Sequence, residues 1–191
     1  EAFSYAMKSI GRATLVGEVT AGAAHGRSVE IINDNFLLSL PTARPVDPRT
    51  NSNWERVGVT PNIAAKSENS LNIAYADLLK ELIKRDGKNK ALQQWVYPVI
   101  HAKSKRYKAP QSEVTQITGT YGNRKIYQKG NKLFYQYVGD TAFEIELLDK
   151  ETITFKAFSN ARLEVVYQDK KVTGIRMLHF GDTPQTFNKT S

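Results

Sequence analysis

Near its start the chain runs Gly11-Arg-Ala-Thr-Leu-Val-Gly-Glu-Val-Thr-Ala-Gly-Ala-Ala-His25. The short apolar segment Ala13–Val16 is β-prone and is predicted to form a core strand. A turn that contains Gly17, Gly22 and Gly26 follows it. Because glycine tolerates positive φ and has no side chain, this turn lets a substrate backbone come close. The pattern is typical of a strand that ends at the edge of a site.

A second stretch, Asn53-Trp-Glu-Arg-Val-Gly-Val-Thr-Pro-Asn-Ile63, places one carboxylate among apolar neighbours. Glu55 directly follows Trp54 and precedes the run Val57-Gly58-Val59. We therefore expect this stretch to form another edge of the same site.

The remainder of the N-terminal half mixes helices and strands. The apolar spacing of residues 1–10 predicts an amphipathic helix that ends at Gly11. Ser28–Ile32 and Phe36–Leu40 flank the turn signal Asn33-Asp34-Asn35, which predicts a hairpin. Three prolines then predict an irregular loop over Pro41–Asn53.

Two further helices are predicted before the pattern changes to strands. Ser70 is expected to cap a helix that ends near Gly87, and Ala91–Ile100 forms a shorter helix that stops or kinks at Pro98. Short alternating runs separated by turn residues follow, which predicts an all-β antiparallel barrel or sandwich. These strand runs are Lys125–Gln128, Lys132–Val138, Phe143–Leu148, Thr152–Phe158, Leu163–Gln168 and Val172–His179.

The two glycine-bearing stretches, together with Glu1-Ala-Phe-Ser-Tyr-Ala-Met-Lys8, resemble a known family. It is the tail-specific (carboxyl-terminal-processing) serine proteases, in the branch of the interphotoreceptor retinoid-binding protein and the tricorn protease core. The resemblance covers residues 1–85 and implies the C-terminal part of a catalytic domain with a partial crotonase/ClpP-like α/β core. It also implies a nucleophilic Ser three residues before Glu1, outside this chain, and a periplasmic or extracytoplasmic location.

The family has two ways to activate its serine. Tail-specific members use a Lys just after the glycine of the segment that here runs Thr20-Ala-Gly-Ala23, and a methyl group at Ala23 cannot accept a proton. The tricorn-like members use an upstream His and a downstream Glu, and that Glu lies in a segment similar to Glu55–Pro61. The resemblance therefore implies that Glu55 is catalytic, holding the His and stabilising its imidazolium. The alternative is a structural carboxylate that caps a loop or pairs with a nearby arginine.

Four further residues are candidates for substrate binding or for lining the site. His25 lies in the turn where the Ser–Lys enzymes carry their base, and it is a candidate general base, substrate contact or plain loop residue. Thr20 and Gly22 are expected to shape the pocket through the backbone, although turn geometry alone explains the glycine. Trp54 either lines a pocket or packs beneath the loop.

The composition of the chain argues against several other classes of function. The net charge of +8 is concentrated between Lys66 and Lys108, where ten Lys/Arg face four Asp/Glu. A solvated helix face and connector explain this excess, because the stretch lacks the interleaved aromatics of a nucleic-acid site. The absence of cysteine excludes disulfides and thiolate chemistry, and no apolar run is long enough to cross a bilayer. Three scattered histidines predict no metal site, and no cofactor is expected.

The predicted organisation has three segments: residues 1–87 as part of the protease domain, 88–110 as a helical basic linker, and 111–191 as a barrel-like domain. The opening of the last segment, Ile117-Thr-Gly-Thr-Tyr-Gly122, resembles small lipocalin-like β domains that follow bacterial hydrolase domains. Two functions remain open. The chain is part of a serine endopeptidase that cleaves exposed or unstructured polypeptide and is inactive alone, or it is a non-catalytic binder of an apolar ligand or a partner protein on a degenerate protease scaffold. The sequence leaves the oligomeric state open.

Overall fold

A computed structural model describes residues 1–190, which contain four α-helices and twelve β-strands. The helices are α1 (Ala2–Ser9), α2 (Ser67–Lys84), α3 (Lys90–Lys105) and α4 (Gln111–Ile117). The strands of the first part are β1 (Val16–Gly17), β2 (Gly26–Asn33), β3 (Phe36–Ala43) and β4 (Ile63–Ala64). The remaining strands are β5 (Gly119–Tyr121), β6 (Arg124–Lys129), β7 (Lys132–Tyr137), β8 (Phe143–Leu147), β9 (Thr152–Phe155), β10 (Ala161–Gln168), β11 (Lys171–His179) and β12 (Gln185–Asn188).

The chain divides into two compact units, the first covering Glu1–Ala74 and the second beginning at Tyr75. The first unit is α/β, and the second is built on an antiparallel eight-stranded sheet that is nearly closed into a barrel. The predicted fold class, an α/β part followed by an all-β barrel, is confirmed.

Helix α1 ends as its sequence predicts. Gly11 takes φ +66°, and its N–H donates to the carbonyl of Lys8 at 3.0 Å. The next N–H, that of Arg12, reaches back to the carbonyl of Met7 at 2.9 Å. This pair of bonds is a Schellman motif, in which a glycine satisfies carbonyls that the helix leaves open.

The sheet structure of the first unit is small. Strands β1 and β4 pair in parallel over two residues each, and Asn62 extends the contact by accepting the N–H of Leu15 on its side-chain oxygen at 2.8 Å. The predicted strand at Ala13–Val16 is wrong in extent, because only Val16 lies in β1. The predicted hairpin is present as β2 and β3, with an Asx-type bond from the Asn35 N–H to the Asn33 side chain at 2.9 Å.

Hairpin β2–β3 carries many apolar side chains that the rest of the chain leaves exposed. Ile31 is 78% exposed and Leu37 is 69% exposed, although both are typical core residues. Strand β3 also extends through Pro41 to Ala43, so the predicted irregular loop begins later than Pro41.

Strands β5 to β12 form an up-and-down meander in which each strand pairs with its neighbours in the chain. The N–H of Thr190 donates to the carbonyl of Thr120 at 2.8 Å and thereby links the chain after β12 to β5. Alternate side chains point into a closely packed interior, as a small barrel requires. The most deeply buried of them are Tyr121, Ile126, Ile153, Leu163 and Ile175, and Ile117 at the end of α4 joins them.

Two helix boundaries differ from the prediction. Helix α2 begins at Ser67, so Ser70 lies in its first turn and donates its hydroxyl to the Lys66 carbonyl at 3.0 Å instead of capping the helix. Helix α3 passes through Pro98 and continues to Lys105. None of the helices described over residues 1–190 combines the length and hydropathy that crossing a membrane would require.

Candidate active site

The two stretches that dominate the sequence form two loops held together by backbone hydrogen bonds. We call residues 20–25 the Gly22 loop and residues 54–59 the Glu55 loop. The N–H of Arg56 donates to the carbonyl of Gly22 at 2.8 Å. The N–H of Val59 donates to the hydroxyl oxygen of Thr20 at 2.7 Å. Each loop therefore fixes the conformation of the other.

Glycine is required at both crossing points of these loops. Gly22 has φ +85° and Gly58 has φ +71°, a region that side chains disfavour. A Cβ on Gly58 would lie 2.0 Å from the carbonyl oxygen of Thr20, and one on Gly22 would lie 2.9 Å from the nitrogen of Gly58. The backbone that approaches Gly22 is the chain's own, whereas the sequence predicts that its turn admits the backbone of a substrate.

Glu55 is held by the backbone of the Gly22 loop. Its Oε2 accepts the N–H of Ala24 at 2.7 Å and the N–H of His25 at 3.2 Å. The bond from Ala24 is the main cause that lowers the pKa of this carboxyl, and partial burial opposes it. An Asx-type bond from the Glu55 N–H to the Asn53 side chain, 2.9 Å long, sets the start of the loop. Glu55 is therefore a positioned and ionised carboxylate at neutral pH.

The imidazole of His25 lies beside this carboxylate. Its Nδ1 is 3.8 Å from Glu55 Oε2, and the side chains are 35% and 29% exposed respectively. The distance is longer than a hydrogen bond, which is common for acid–base pairs without substrate. The imidazole of His25 and the carboxylate of Glu55, which the sequence singled out, thus lie side by side in one partly solvated site.

A second carboxylate, that of Glu1, anchors the same loop from the start of α1. It accepts the N–H of Gly22 at 2.6 Å and that of Ala23 at 2.8 Å. The hydroxyl of Thr20 also bonds to it and is the largest of the causes that lower the pKa of Glu1 to about 2. Four successive N–H groups, those of residues 22–25, therefore point at two carboxylates, a backbone arrangement known to hold anions.

Trp54 packs under the loops. It is 7% exposed, its ring centroid is 4.8 Å from that of Tyr5, and its indole N–H donates to the carbonyl of Ala23 at 3.3 Å. It belongs to a small core with Ala24 and Val59. Of the two roles suggested by the sequence, this geometry favours packing.

An open cleft of about 440 Å³ adjoins the Glu55–His25 pair. Its lining residues are His25, Arg44, Ser52, Asn53, Glu55, Arg56 and Val57. The two loops, α1 and this cleft all fall inside one segment with a family match: residues 1–65 match the model of peptidase family S41.

The N-terminal part of this chain, residues 1–65, is thus similar to peptidase family S41. The match includes every residue proposed for the site and ends just after β4 at residue 65. The barrel lies outside the S41 segment, and no solved structure matches the chain.

Sequence reasoning singled out the S41 loops but missed the part that Glu1 plays in them. The sequence places Glu1 in a helix, three residues after the nucleophile that the resemblance implies, whereas in the fold its carboxylate also bonds to Gly22, 21 positions away. The sequence of the Gly22 loop carries no signal for this partner, because every residue except proline has a backbone N–H and the contact forms only when the chain folds. Within residues 1–190, no group of three His, Asp or Glu side chains is placed to hold a metal ion.

Proposed function

We propose that this chain is part of a serine peptidase in which Glu55 is the acidic member of a Ser/His/Glu system. The observation that carries the proposal is the placement of Glu55 within the S41 segment. Its Oε2 is fixed by two backbone N–H groups and lies 3.8 Å from an imidazole. The proposed reaction is hydrolysis of peptide bonds in exposed or unstructured polypeptide.

In this mechanism Glu55 remains ionised and accepts a hydrogen bond from the imidazole of the catalytic histidine. That histidine takes the proton of the serine hydroxyl during attack on the scissile carbonyl and later donates it to the leaving amine. The lowered pKa of Glu55 suits the role, because the carboxylate must stay charged while the imidazolium forms. The family resemblance assigns the base to a histidine upstream, and His25 then lines the substrate cleft beside it.

The nucleophile is proposed to lie three residues before Glu1, on the strength of the family resemblance. Glu1 supports this placement, since its carboxylate ties the start of α1 to the Gly22 loop. A residue one turn earlier would then lie near the same loop. We further propose a periplasmic or extracytoplasmic location, again from the resemblance.

The test uses the natural polypeptide including the residues before Glu1. Incubation with a fluorophosphonate probe, followed by intact mass and peptide mapping, is expected to give one adduct on the serine just before Glu1. A folded protein that gives no adduct would contradict the peptidase proposal and favour the non-catalytic binder.

Glu55→Gln tests the acid separately. It should lower kcat/KM for an unfolded protein substrate at least about tenfold, because a neutral amide cannot stabilise the imidazolium. Glu18→Gln is the matched control, since Glu18 is an exposed carboxylate of the same unit, outside the cleft. Equal turnover in the two variants, with adduct formation intact, would remove Glu55 from the mechanism and leave the peptidase proposal standing.

A further inference from the structure

A cavity of about 340 Å³ lies in the second unit, between α3 and the β9–β10 corner of the barrel. Its volume is near the lower end of the range of small-molecule pockets, about 300–1,000 Å³. The residues that define its character are Trp95, Val96, Val99, Phe155, Phe158 and Arg162. The peptidase site, which is in the other unit, uses none of them.

The walls of this cavity are mainly apolar and aromatic. Phe155 and Phe158 stack with ring centroids 4.6 Å apart, and Trp95 meets Phe180 edge-on at 5.7 Å. Val96 and Val99 contribute from successive turns of α3. Packed rings have fixed positions, so the cavity has a defined apolar shape that suits a hydrocarbon or aryl group.

The lining of the cavity also includes a buried cation. Arg162 is 8% exposed, its guanidinium lies 4.3 Å from the Trp95 ring, and its Nη1–H donates to the Trp95 carbonyl at 2.7 Å. Within residues 1–190 no carboxylate lies at ion-pair distance from it. Glu164, whose negative charge acts on Arg162 from beyond that distance, forms its ion pair with Arg176 at 3.6 Å.

A buried guanidinium without a counter-ion is costly, and a carboxylate offers it a charge-assisted bond. The rest of the lining adds no negative charge and includes a second cation, Lys103. The cavity therefore combines a mainly apolar lining with two cationic side chains.

We propose that this cavity binds a small apolar carboxylate, with its alkyl or aryl part among the rings and its carboxylate at Arg162. The ligand bears one negative charge and an uncharged hydrophobic body. The site is independent of the proposed peptidase chemistry and holds whether or not that chemistry is present.

The experiment compares octanoate with octan-1-ol on the full chain by isothermal titration calorimetry. Octanoate should bind saturably and at least tenfold more tightly than the alcohol, which matches its length but lacks the charge. Arg162→Gln should weaken octanoate at least tenfold and leave octan-1-ol unchanged. Arg176→Gln, which removes an exposed arginine on the adjacent strand, is the control and should change neither affinity.

Methyl NMR locates the binding. Shifts are expected at Val96 and Val99, and Val99→Trp, which fills the cavity, should abolish them. Equal affinity for acid and alcohol, no saturation, or shifts confined to the exposed side chains of hairpin β2–β3 would each overturn the proposal. If Arg162→Gln does not fold, octylamine replaces the variant: it should fail to bind the wild-type chain, and binding as tight as that of octanoate would also overturn the proposal.

Discussion

At the scale of single residues, Gly58 shows most clearly how the two loops depend on each other. Its φ of +71° resembles that of Gly11, at +66°. A Cβ on Gly11 would meet nothing within 4 Å, whereas a Cβ on Gly58 would meet the Thr20 carbonyl at 2.0 Å. Substitution of Gly11 therefore tests the free-energy cost of the left-handed backbone alone. Substitution of Gly58 tests that cost together with the cost of a clash with the Thr20 carbonyl.

We predict that Gly11→Ala lowers the free energy of unfolding by about 1 kcal/mol, the cost of a left-handed alanine. Gly58→Ala should lower it by about 3 kcal/mol or more, because the backbone of Thr20 must also move. Urea unfolding followed by tryptophan fluorescence measures both. Equal losses would show that the loops do not cross as closely as described.

The carboxyl of Glu1 makes the stability of the folded protein depend on pH. Its pKa falls from 4.5 to about 2 on folding, so the folded state holds its proton less tightly than the unfolded state. Its stabilising contribution is thus complete above pH 4.5 and is lost as the pH falls towards 2. Glu55, whose pKa is also lowered, acts in the same direction.

We predict that the thermal midpoint of the wild-type chain falls as the pH is lowered from 5 to about 2.5, and that Glu1→Gln makes this decline shallower. The amide cannot reproduce a pH-dependent bond to Gly22 and Ala23. Glu18→Gln should leave the profile as steep as in the wild type. Parallel profiles for all three proteins would show that Glu1 does not anchor the Gly22 loop.

At the scale of elements, the sequence predicted those whose signal is local. Hairpin β2–β3 follows from alternation around Asn33-Asp34-Asn35, and helix α1 ends where Gly11 predicts. Helix α3 does not stop at Pro98, because the residues on both sides of it pack against the barrel and outweigh one lost hydrogen bond. Strand β12 was missed since Gln185-Thr-Phe-Asn188 offers a single apolar residue.

In the candidate site, too, the residues with a local sequence signal were predicted and those that depend on long-range contacts were not. The family resemblance singled out Glu55, Gly22 and His25, which the fold brings together through two short loops. The anchoring role of Glu1 and the buried charge of Arg162 depend on contacts over 21 and 67 positions respectively. No local pattern encodes such pairs, because the intervening chain must fold before they meet.

At the scale of the whole molecule, closure of the barrel depends on its last strand. Phe187 of β12 covers the guanidinium of Arg124, which lies 3.5 Å from the ring centroid. The Nε of that arginine is buried and has no hydrogen-bond partner, and the rings of Phe187 and Tyr137 lie against the guanidinium.

We predict that Phe187→Ala lowers the free energy of unfolding by about 3 kcal/mol, since it leaves a void and uncovers Arg124. Phe36→Ala, which truncates a ring that is 66% exposed, should change it by less than about 0.5 kcal/mol. Guanidinium unfolding monitored by far-ultraviolet circular dichroism compares the two. A loss for Phe187→Ala no larger than for Phe36→Ala would mean that β12 is not needed to close the barrel.

The bond between Thr190 and Thr120 has a consequence for joining this domain to another protein. Because the first and last strands of the barrel meet there, the polypeptide enters and leaves the barrel at nearly one point. A domain with adjacent ends can be inserted into a surface loop of a host protein, or circularly permuted, without stretching either partner. The eight strands and α4, which adds Ile117 to their core, therefore form a segment whose ends lie side by side, and new junctions belong at those ends.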